Sequence, residues 1–277
     1  MKLVAFLQAR LGSYSGKAIR KLLEANLCRV DGRVERFGSR VLRGHEKVEV
    51  AKGWKEVLEA KPVVIETLFE NEAFKIINKP AGWVCQDEQV KKSFGAGHFL
   101  VHRLDKDTTG LLILAKSKSS RDALMELFEK REIQKQYVAL VDGVVKEESG
   151  VRKSFMAKKG NLVWGSAPHG LTAITHWRRL AVGTQATLIL CEPITGRTHQ
   201  IRVHMAEMGH PILVDRTYAT QFRSPLFAKR PLLHAYRLQF SFAGERVDVK
   251  APLFVDICEA MRQVGMEMGP LRQFLDE

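Results

Sequence analysis

Seven polar side chains crowd the ten residues Val101-His102-Arg103-Leu104-Asp105-Lys106-Asp107-Thr108-Thr109-Gly110. Without a break, the chain then turns apolar from Gly110 to Lys116, a run with the length of a buried strand. A fold that buries this run must bring the polar knot to the edge of its core. Polar density there costs burial and is usually retained for a site. The chain is thus constrained to a sheet in which a buried strand opens directly onto a polar loop.

The surrounding sequence supplies the rest of such a sheet. Phe74 to Asn78 is strand-like and ends at Lys79-Pro80-Ala81-Gly82, which must turn. Gln136 to Val141 and Thr184 to Cys191 read as strands. His234 to Phe242 alternates, with His234, Tyr236, Leu238, Phe240 and Phe242 on one face, and Ala243-Gly244 with Val247 and Val249 suggests a hairpin. Two helices are expected here. Ser119 can cap the first, whose stripe is Ala123, Leu124, Leu127 and Phe128. The second runs from Thr198 to Met208, with Gly209 ending it and Pro211 beyond. The fold class expected is α+β: a mixed, largely antiparallel sheet with flanking helices.

Residues 1–52 form a separate expectation. Apolar-periodic stretches at Val4 to Leu11 and Lys17 to Leu27 predict two helices, the second with Ile19, Leu22, Leu23 and Leu27 inward and Lys17, Arg20, Lys21 and Arg29 elsewhere. An Asp31-Gly32 turn between short strands follows, then a strand at Lys47 to Val50. Up to residue 50 there are 11 basic and 5 acidic residues, the charge pattern of a phosphate-contacting surface. Residues 51–62, with Trp54 and Lys61-Pro62, read as a connector to a larger domain over 53–277.

Composition bounds the partners. The 277 residues carry 44 Lys and Arg against 31 Asp and Glu, a formal charge of +13 that attracts polyanions; a solvated basic surface is the bland alternative. Cys28, Cys85, Cys191 and Cys258 stand in no metal-ligand spacing and read as free thiols of a reducing compartment. No apolar stretch nears the roughly 20 residues that span a bilayer, and the apolar opening is cut short by Gln8 and Arg10. A soluble, cytoplasmic protein is expected, monomeric, with no metal and no cofactor: neither a dinucleotide fingerprint nor a P-loop is present.

Three segments concentrate the chemistry. One is the knot at 101–110. Another is Lys135-Gln136-Tyr137-Val138-Ala139-Leu140-Val141-Asp142-Gly143, a strand on which Tyr137, Ala139 and Val141 share a face. The third is Thr195-Gly196-Arg197-Thr198-His199-Gln200-Ile201-Arg202-Val203-His204, where His199 and Arg202, at i and i+3 of a helix, can face one cleft. Singly each has an ordinary reading: Asp105 as a capping or paired surface residue, Tyr137 as a half-buried strand residue, the arginines and histidines as a phosphate-binding helix face.

Together they resemble one family. "H-R-L-D-K-D-T-T-G-L-L-I-L-A-K" resembles the signature H-R-L-D-x-x-T-S-G-L of the RluA-type RNA pseudouridine synthases, with Thr109 where that family usually has Ser. "N-K-P-A-G", "K-Q-Y-V-A-L-V-D-G", "T-G-R-T-H-Q-I-R-V-H" and "L-L-H-A-Y-R-L-Q-F" resemble its other motifs, in the family's order. Residues 1–52 resemble the S4 RNA-binding domain through "V-D-G-R-V" and "V-L-R-G-H-E-K-V-E-V", with His45-Glu46 departing from its usual Gly-Asp. The resemblance implies an isomerase acting on uridines of structured RNA, ribosomal RNA before transfer RNA. It implies Asp105 as catalytic aspartate, Arg202 as the cation that keeps it ionised, and Tyr137 as a stacking partner of the uracil. Arg103 would fill the space the uridine leaves. His102, Arg197, Lys17, Arg20, Lys21 and Arg29 are expected to contact RNA. Three rivals are weaker. The string "D-K-D-T-T-G" faintly resembles the phosphorylated-aspartate motif of P-type ATPases, but the spacing differs and no membrane spans are present. A metal-dependent nuclease lacks a compact ligand set, with His199 and His204 on different helix faces. A non-catalytic RNA-binding relative would not need every catalytic residue type.

Overall fold

The computed structural model describes residues 1–12, 14–55, 64–160 and 163–267. Most of the connector expected over 51–62 falls on residues 56–63, outside the described residues. The chain divides into two compact units, Met1–Val63 with Pro225–Arg230, and Val64–Ser224 with Pro231–Glu277. Among the described residues no helix is long and apolar enough to cross a membrane.

In the smaller unit, helices α1 (Leu3–Leu11) and α2 (Gly16–Glu24) pack on a three-stranded antiparallel sheet of order β2-β1-β3. The strands are β1 (Cys28–Val30), β2 (Arg33–Val34) and β3 (Val48–Val50). Ser15 caps α2 by accepting the Ala18 N–H at 3.2 Å, so this helix starts where its backbone donors would otherwise be orphaned. The Asp31-Gly32 turn has φ of 49° and 75°, the paired positive values that a two-residue hairpin turn requires. Leu3, Leu7, Ile19, Leu22, Leu23, Val30 and Val48 close the core, while Lys17, Arg20 and Lys21 stay exposed. Arg29 behaves differently. Its guanidinium lies 3.6 Å from the centre of the Phe227 ring and donates to the Leu226 carbonyl at 2.7 Å, which binds segment 225–230 to this unit.

The larger unit is an eleven-stranded sheet. Its path is β10-β9-β11-β12-β8-β13-β7-β5-β4, with β14 paired to β13 and β6 to β7. The strands are β4 (Glu66–Glu70), β5 (Phe74–Lys79), β6 (Phe99–Leu100), β7 (Thr109–Ala115), β8 (Gln134–Asp142), β9 (Ser149–Gly160), β10 (Val163–Ser166), β11 (Leu171–Val182), β12 (Ala186–Pro193), β13 (Leu233–Phe242) and β14 (Glu245–Lys250). Helices α3 (Asp87–Phe94), α4 (Lys118–Glu129), α5 (Gln200–Glu207) and α6 (Val255–Gln263) accompany them. All pairings are antiparallel except β13 with β7. The α+β expectation holds.

The run after the polar knot is buried on both faces, as its unbroken apolar character requires. Leu111 and Ile113 of β7 meet Phe74, Ile76 and Leu124, whereas Leu112 and Leu114 meet Ile77, Val90 and Leu104. Two details differ from expectation. Ser117, not Ser119, caps α4 by accepting the Ser120 N–H at 3.0 Å, and Ala123 is exposed, so the stripe is Leu124, Leu127 and Phe128. The clean alternation of β13 applies only from Leu238 onward, because a bulge between Ala235 and Arg237 shifts its register against β8. Helices α3 and α6 and the long hairpin β9–β11 carried no signal that sequence reasoning used.

Gly110 decides how β7 enters the sheet. It has φ of +105°, and a Cβ built on it would fall 2.1 Å from the Ala235 carbonyl oxygen on neighbouring β13. Beside it the Thr109 hydroxyl meets His234 Nδ1 at 2.9 Å. Only glycine permits this approach. Gly110→Ala is therefore expected to cost on the order of 3 kcal/mol, through combined backbone strain and overlap with a fixed carbonyl. Urea unfolding of the purified variant checks this; a wild-type midpoint would mean that β7 and β13 do not meet as described.

Candidate active site

The loop from β6 to β7 alternates. His102 and Leu104 make inward contacts: His102 Nε2 accepts the Ile113 N–H at 3.0 Å with its ring against Phe128, and the Leu104 N–H donates to Cys85 Sγ at 3.4 Å. Arg103 is exposed, and the Asp105 side chain keeps 26% of its surface open. The Asp105 carbonyl then accepts the Thr108 N–H at 3.1 Å, which turns the chain into β7. From the other side Lys79, at the end of β5 and fully buried, clamps this turn. Its ammonium donates to the carbonyls of Pro80 at 3.0 Å, Trp83 at 3.0 Å and Lys106 at 2.9 Å. The Gly82 N–H adds a bond to the same Lys106 carbonyl at 2.9 Å. A buried ammonium without such partners would be costly, so the clamp and the loop conformation require each other.

Helix α5 delivers the counter-charge. Gln200 anchors its first turn: its Nε2 donates to the Ile174 carbonyl and meets Thr175 Oγ1, both at 2.9 Å, while its Oε1 accepts the Thr195 hydroxyl at 2.6 Å. Two residues further, within the same turn, Arg202 is buried between two carboxylates. Its Nε and Nη2 donate to Asp215 Oδ2 and Oδ1 at 2.7 and 2.9 Å, and its Nη1 donates to Asp105 Oδ2 at 3.0 Å. Burial opposes the Arg202 charge, but the hydrogen bonds and charge of Asp215, and then of Asp105, outweigh it and hold the pKa above the ordinary arginine value. The Tyr218 ring centre lies 5.1 Å from this guanidinium, and its hydroxyl is 2.7 Å from His199 Nδ1. His199 sits just before α5 in a left-handed conformation, φ 58°, with Nε2 3.7 Å from Asp105 Oδ1. Burial pushes its imidazole below the ordinary histidine value, so it is neutral near pH 7.

Tyr137 reaches the same place across the sheet. Gly110 of β7 is opposite Ala235 of β13, which is in turn opposite Tyr137 of β8. Two strand spacings, about 10 Å, thus separate the end of the polar loop from the tyrosine backbone. Burial first, and then the Asp105 charge, push the Tyr137 hydroxyl pKa well above its usual value, so it keeps its proton. Its hydroxyl takes no hydrogen bond among the described residues.

The sequence profile described as RNA pseudouridylate synthase matches residues 73–207, which contain the loop, Tyr137 and Arg202. "Ribosomal large subunit pseudouridine synthase D" of Haemophilus influenzae is 30% identical over 92% of this chain and 89% of its own length. The chain belongs to the RNA pseudouridylate synthase family. It is an isomerase of that family, an RNA pseudouridine synthase. "Ribosomal large subunit pseudouridine synthase C" of Buchnera aphidicola is 35% identical over 62% of this chain and 61% of its own. Among solved structures, human RNA pseudouridylate synthase domain containing 1 superposes with a TM-score of 0.62 at 25% identity, covering 69% of this synthase and 86% of the human chain.

The synthase brings Asp105 and Arg202 into direct contact, with Tyr137 close enough to feel the carboxylate. Arg103 is exposed, and Arg197 is partly committed, its Nε donating to the Thr172 carbonyl at 3.1 Å. Two residues expected to contact RNA have partners within the protein. Burial drives the His102 imidazole down to about 3 and its acceptor nitrogen is used by Ile113, so it is a neutral internal support. Arg29 is spent on Phe227 and Leu226. Asp215, Tyr218 and Lys79 were not singled out as site residues. Lys79 lies in the N-K-P-A-G string, whereas Asp215 and Tyr218 lie in a loop without periodicity. Asp215→Asn keeps the shape but removes the charge that fixes Arg202. It should lower kcat about 100-fold, or ~2.7 kcal/mol, with the KM for RNA changed little. A kcat within threefold of wild type would show that Asp215 does not position the arginine.

Proposed function

We propose that this synthase isomerises uridines in structured ribosomal RNA, with Asp105 as the catalytic carboxylate, Arg202 as its hydrogen-bonded cationic partner and Tyr137 as the face on which the uracil stacks. The observation that carries this reading is the Arg202–Asp105 bond at 3.0 Å, made by an arginine already gripped at its other edge by buried Asp215. The ribosomal target is supported by the names of the curated relatives.

The reaction breaks the bond from C1′ of the ribose to N1 of the uracil, turns the base, and joins C1′ to C5, whose hydrogen leaves as a proton while N1 takes up one, so that composition is unchanged. No electron donor and no phosphate donor enters the balance. A carboxylate beside the sugar serves as nucleophile or as stabiliser of developing positive charge. Arg202 donates to Asp105 Oδ2 and leaves Oδ1 for the substrate. The protonated Tyr137 hydroxyl can hold a uracil carbonyl while its ring stacks. Arg103, exposed two residues before Asp105, would enter the space vacated by the extruded nucleotide.

The smaller unit is read as an S4-like RNA-binding module, on the strength of the exposed Lys17, Arg20 and Lys21 and its helix–helix–sheet order. Four free cysteines, three of them buried, suit a reducing cytoplasm.

Asp105→Asn should abolish turnover on any RNA while RNA affinity stays near wild type. Arg103→Ala should lower kcat/KM strongly on a stem-loop and less on an unstructured strand with the same uridine, because only the first must be unstacked. Both are compared at one salt concentration. Asp105→Asn turnover within tenfold of wild type, about 1.4 kcal/mol, would remove the aspartate from the mechanism. Equal Arg103→Ala defects on the two RNAs would remove the wedge.

A further inference from the structure

From Ser149 to Val182 the sequence holds six lysines and arginines, two histidines and no aspartate or glutamate. This stretch builds β9, β10 and β11, the three strands at one end of the large sheet. Arg152 and Arg179 are used internally. Arg152 pairs with Glu207 at 3.1 Å, and Arg179 donates to the carbonyls of Val145 and Lys146 at 3.0 and 2.7 Å. Lys153, Lys158 and Lys159 are exposed and have no ion-pair partner among the described residues.

An aromatic ring stands among them. Phe155 is 51% exposed and shares a face of β9 with Val151, Lys153 and Lys159. Across the register, β11 sets Thr172 opposite Phe155, Ile174 opposite Lys153 and His176 opposite Val151. The same face thus offers a flat apolar ring and aliphatic side chains, flanked by cations. Lys158 is opposite Trp164 on the other face, the side toward α5. Cations on both faces of an acid-free hairpin, with a ring exposed between two of them, match a single-stranded polyanion with bases to stack.

The wing is also fastened to the catalytic helix. Glu207 of α5 accepts the Ser166 N–H at 3.0 Å and the Ser166 hydroxyl at 2.8 Å, and the Trp164 N–H donates to the Tyr218 hydroxyl at 3.2 Å. Together with the Gln200 bonds to Ile174 and Thr175, these contacts leave little play between the wing and Arg202.

We propose that the β9–β11 wing is an RNA-contacting surface of the catalytic unit: Lys153, Lys158 and Lys159 hold phosphates flanking the target uridine, and Phe155 stacks on an unpaired base. The proposal rests on the RNA-modifying reading above and adds where the flanking RNA runs.

The test measures binding of a ribosomal stem-loop with single-stranded flanks, by fluorescence anisotropy across a salt series. The proteins are wild type, K153Q/K158Q/K159Q, K153R/K158R/K159R and Phe155→Ser, each checked for a wild-type melting temperature. Each phosphate contact contributes about 0.7 to the slope of log affinity against log salt for single strands. The glutamine variant should therefore lose about 2 from that slope and bind at least tenfold more weakly at low salt, and the arginine variant should keep both. Phe155→Ser should weaken binding about tenfold with the slope intact, and removal of the flanks should erase both defects. A wild-type slope in the glutamine variant, or an unchanged affinity in Phe155→Ser, would overturn the proposal and leave the wing a solvated face. Failure of the wild type to form pseudouridine in the same RNA would instead overturn the functional reading, and the proposal with it.

Discussion

The guanidinium of Arg202 is shared by two carboxylates that lie 110 residues apart in the chain, Asp105 and Asp215, and the site is arranged around that sharing. A buried cation must be compensated, and Asp215, itself 1% exposed, does so through the bidentate fork that suits arginine and not lysine. The fork consumes Nε and Nη2 and aims Nη1 at Asp105. Had Asp105 been the only partner, the arginine could rotate to meet it in several ways. With Asp215 in place, one direction is left, and Asp105 gives Oδ2 to Arg202 while its Oδ1 lies 3.7 Å from His199 Nε2.

The polypeptide spends much of its recognisable sequence on holding these groups still. Thr109 and Gly110 seat β7 against β13 at His234 and Ala235. Lys79 closes the loop over Lys106 from the opposite side. Gln200 pins α5 to β11. Residues that look catalytic as strings of polar letters therefore divide into those that keep open surface and those that replace backbone hydrogen bonds the loop cannot make for itself. Within 102–105 the division follows the period of an extended chain, inward at His102 and Leu104, outward at Arg103 and Asp105.

That division explains what the sequence could disclose. The run at Gly110 to Lys116, the Asp31-Gly32 turn and the helix carrying Arg202 are local patterns, so they were legible, but His199, expected on that helix, stands just before it in a left-handed conformation. Asp215 was not, because its significance is a contact across 13 residues from α5, and Val214 beside it has a positive φ of 68° that no propensity announces. The β9–β11 hairpin escaped notice because β9 is mostly exposed, so its residues keep no apolar period to read. The internal partners of His102 and Arg29 were equally invisible, because they come from tertiary packing rather than from residue type.

Charge distribution follows from the same constraint. Asp105, Asp215 and Arg202 together leave one net negative charge in the cleft while neutral His199 and Tyr137 add none. RNA phosphates are repelled by such a cleft, yet the molecule as a whole carries +13. The two requirements are compatible if the backbone stays over the cationic exterior and only the uncharged base and its ribose descend to Asp105. Screening at about 8–10 Å makes this separation of charge effective over the length of one extruded nucleotide. A catalytic carboxylate in an RNA enzyme thus calls for an unpaired basic surface around its cleft, with acidic residues confined to positions where an arginine already answers them.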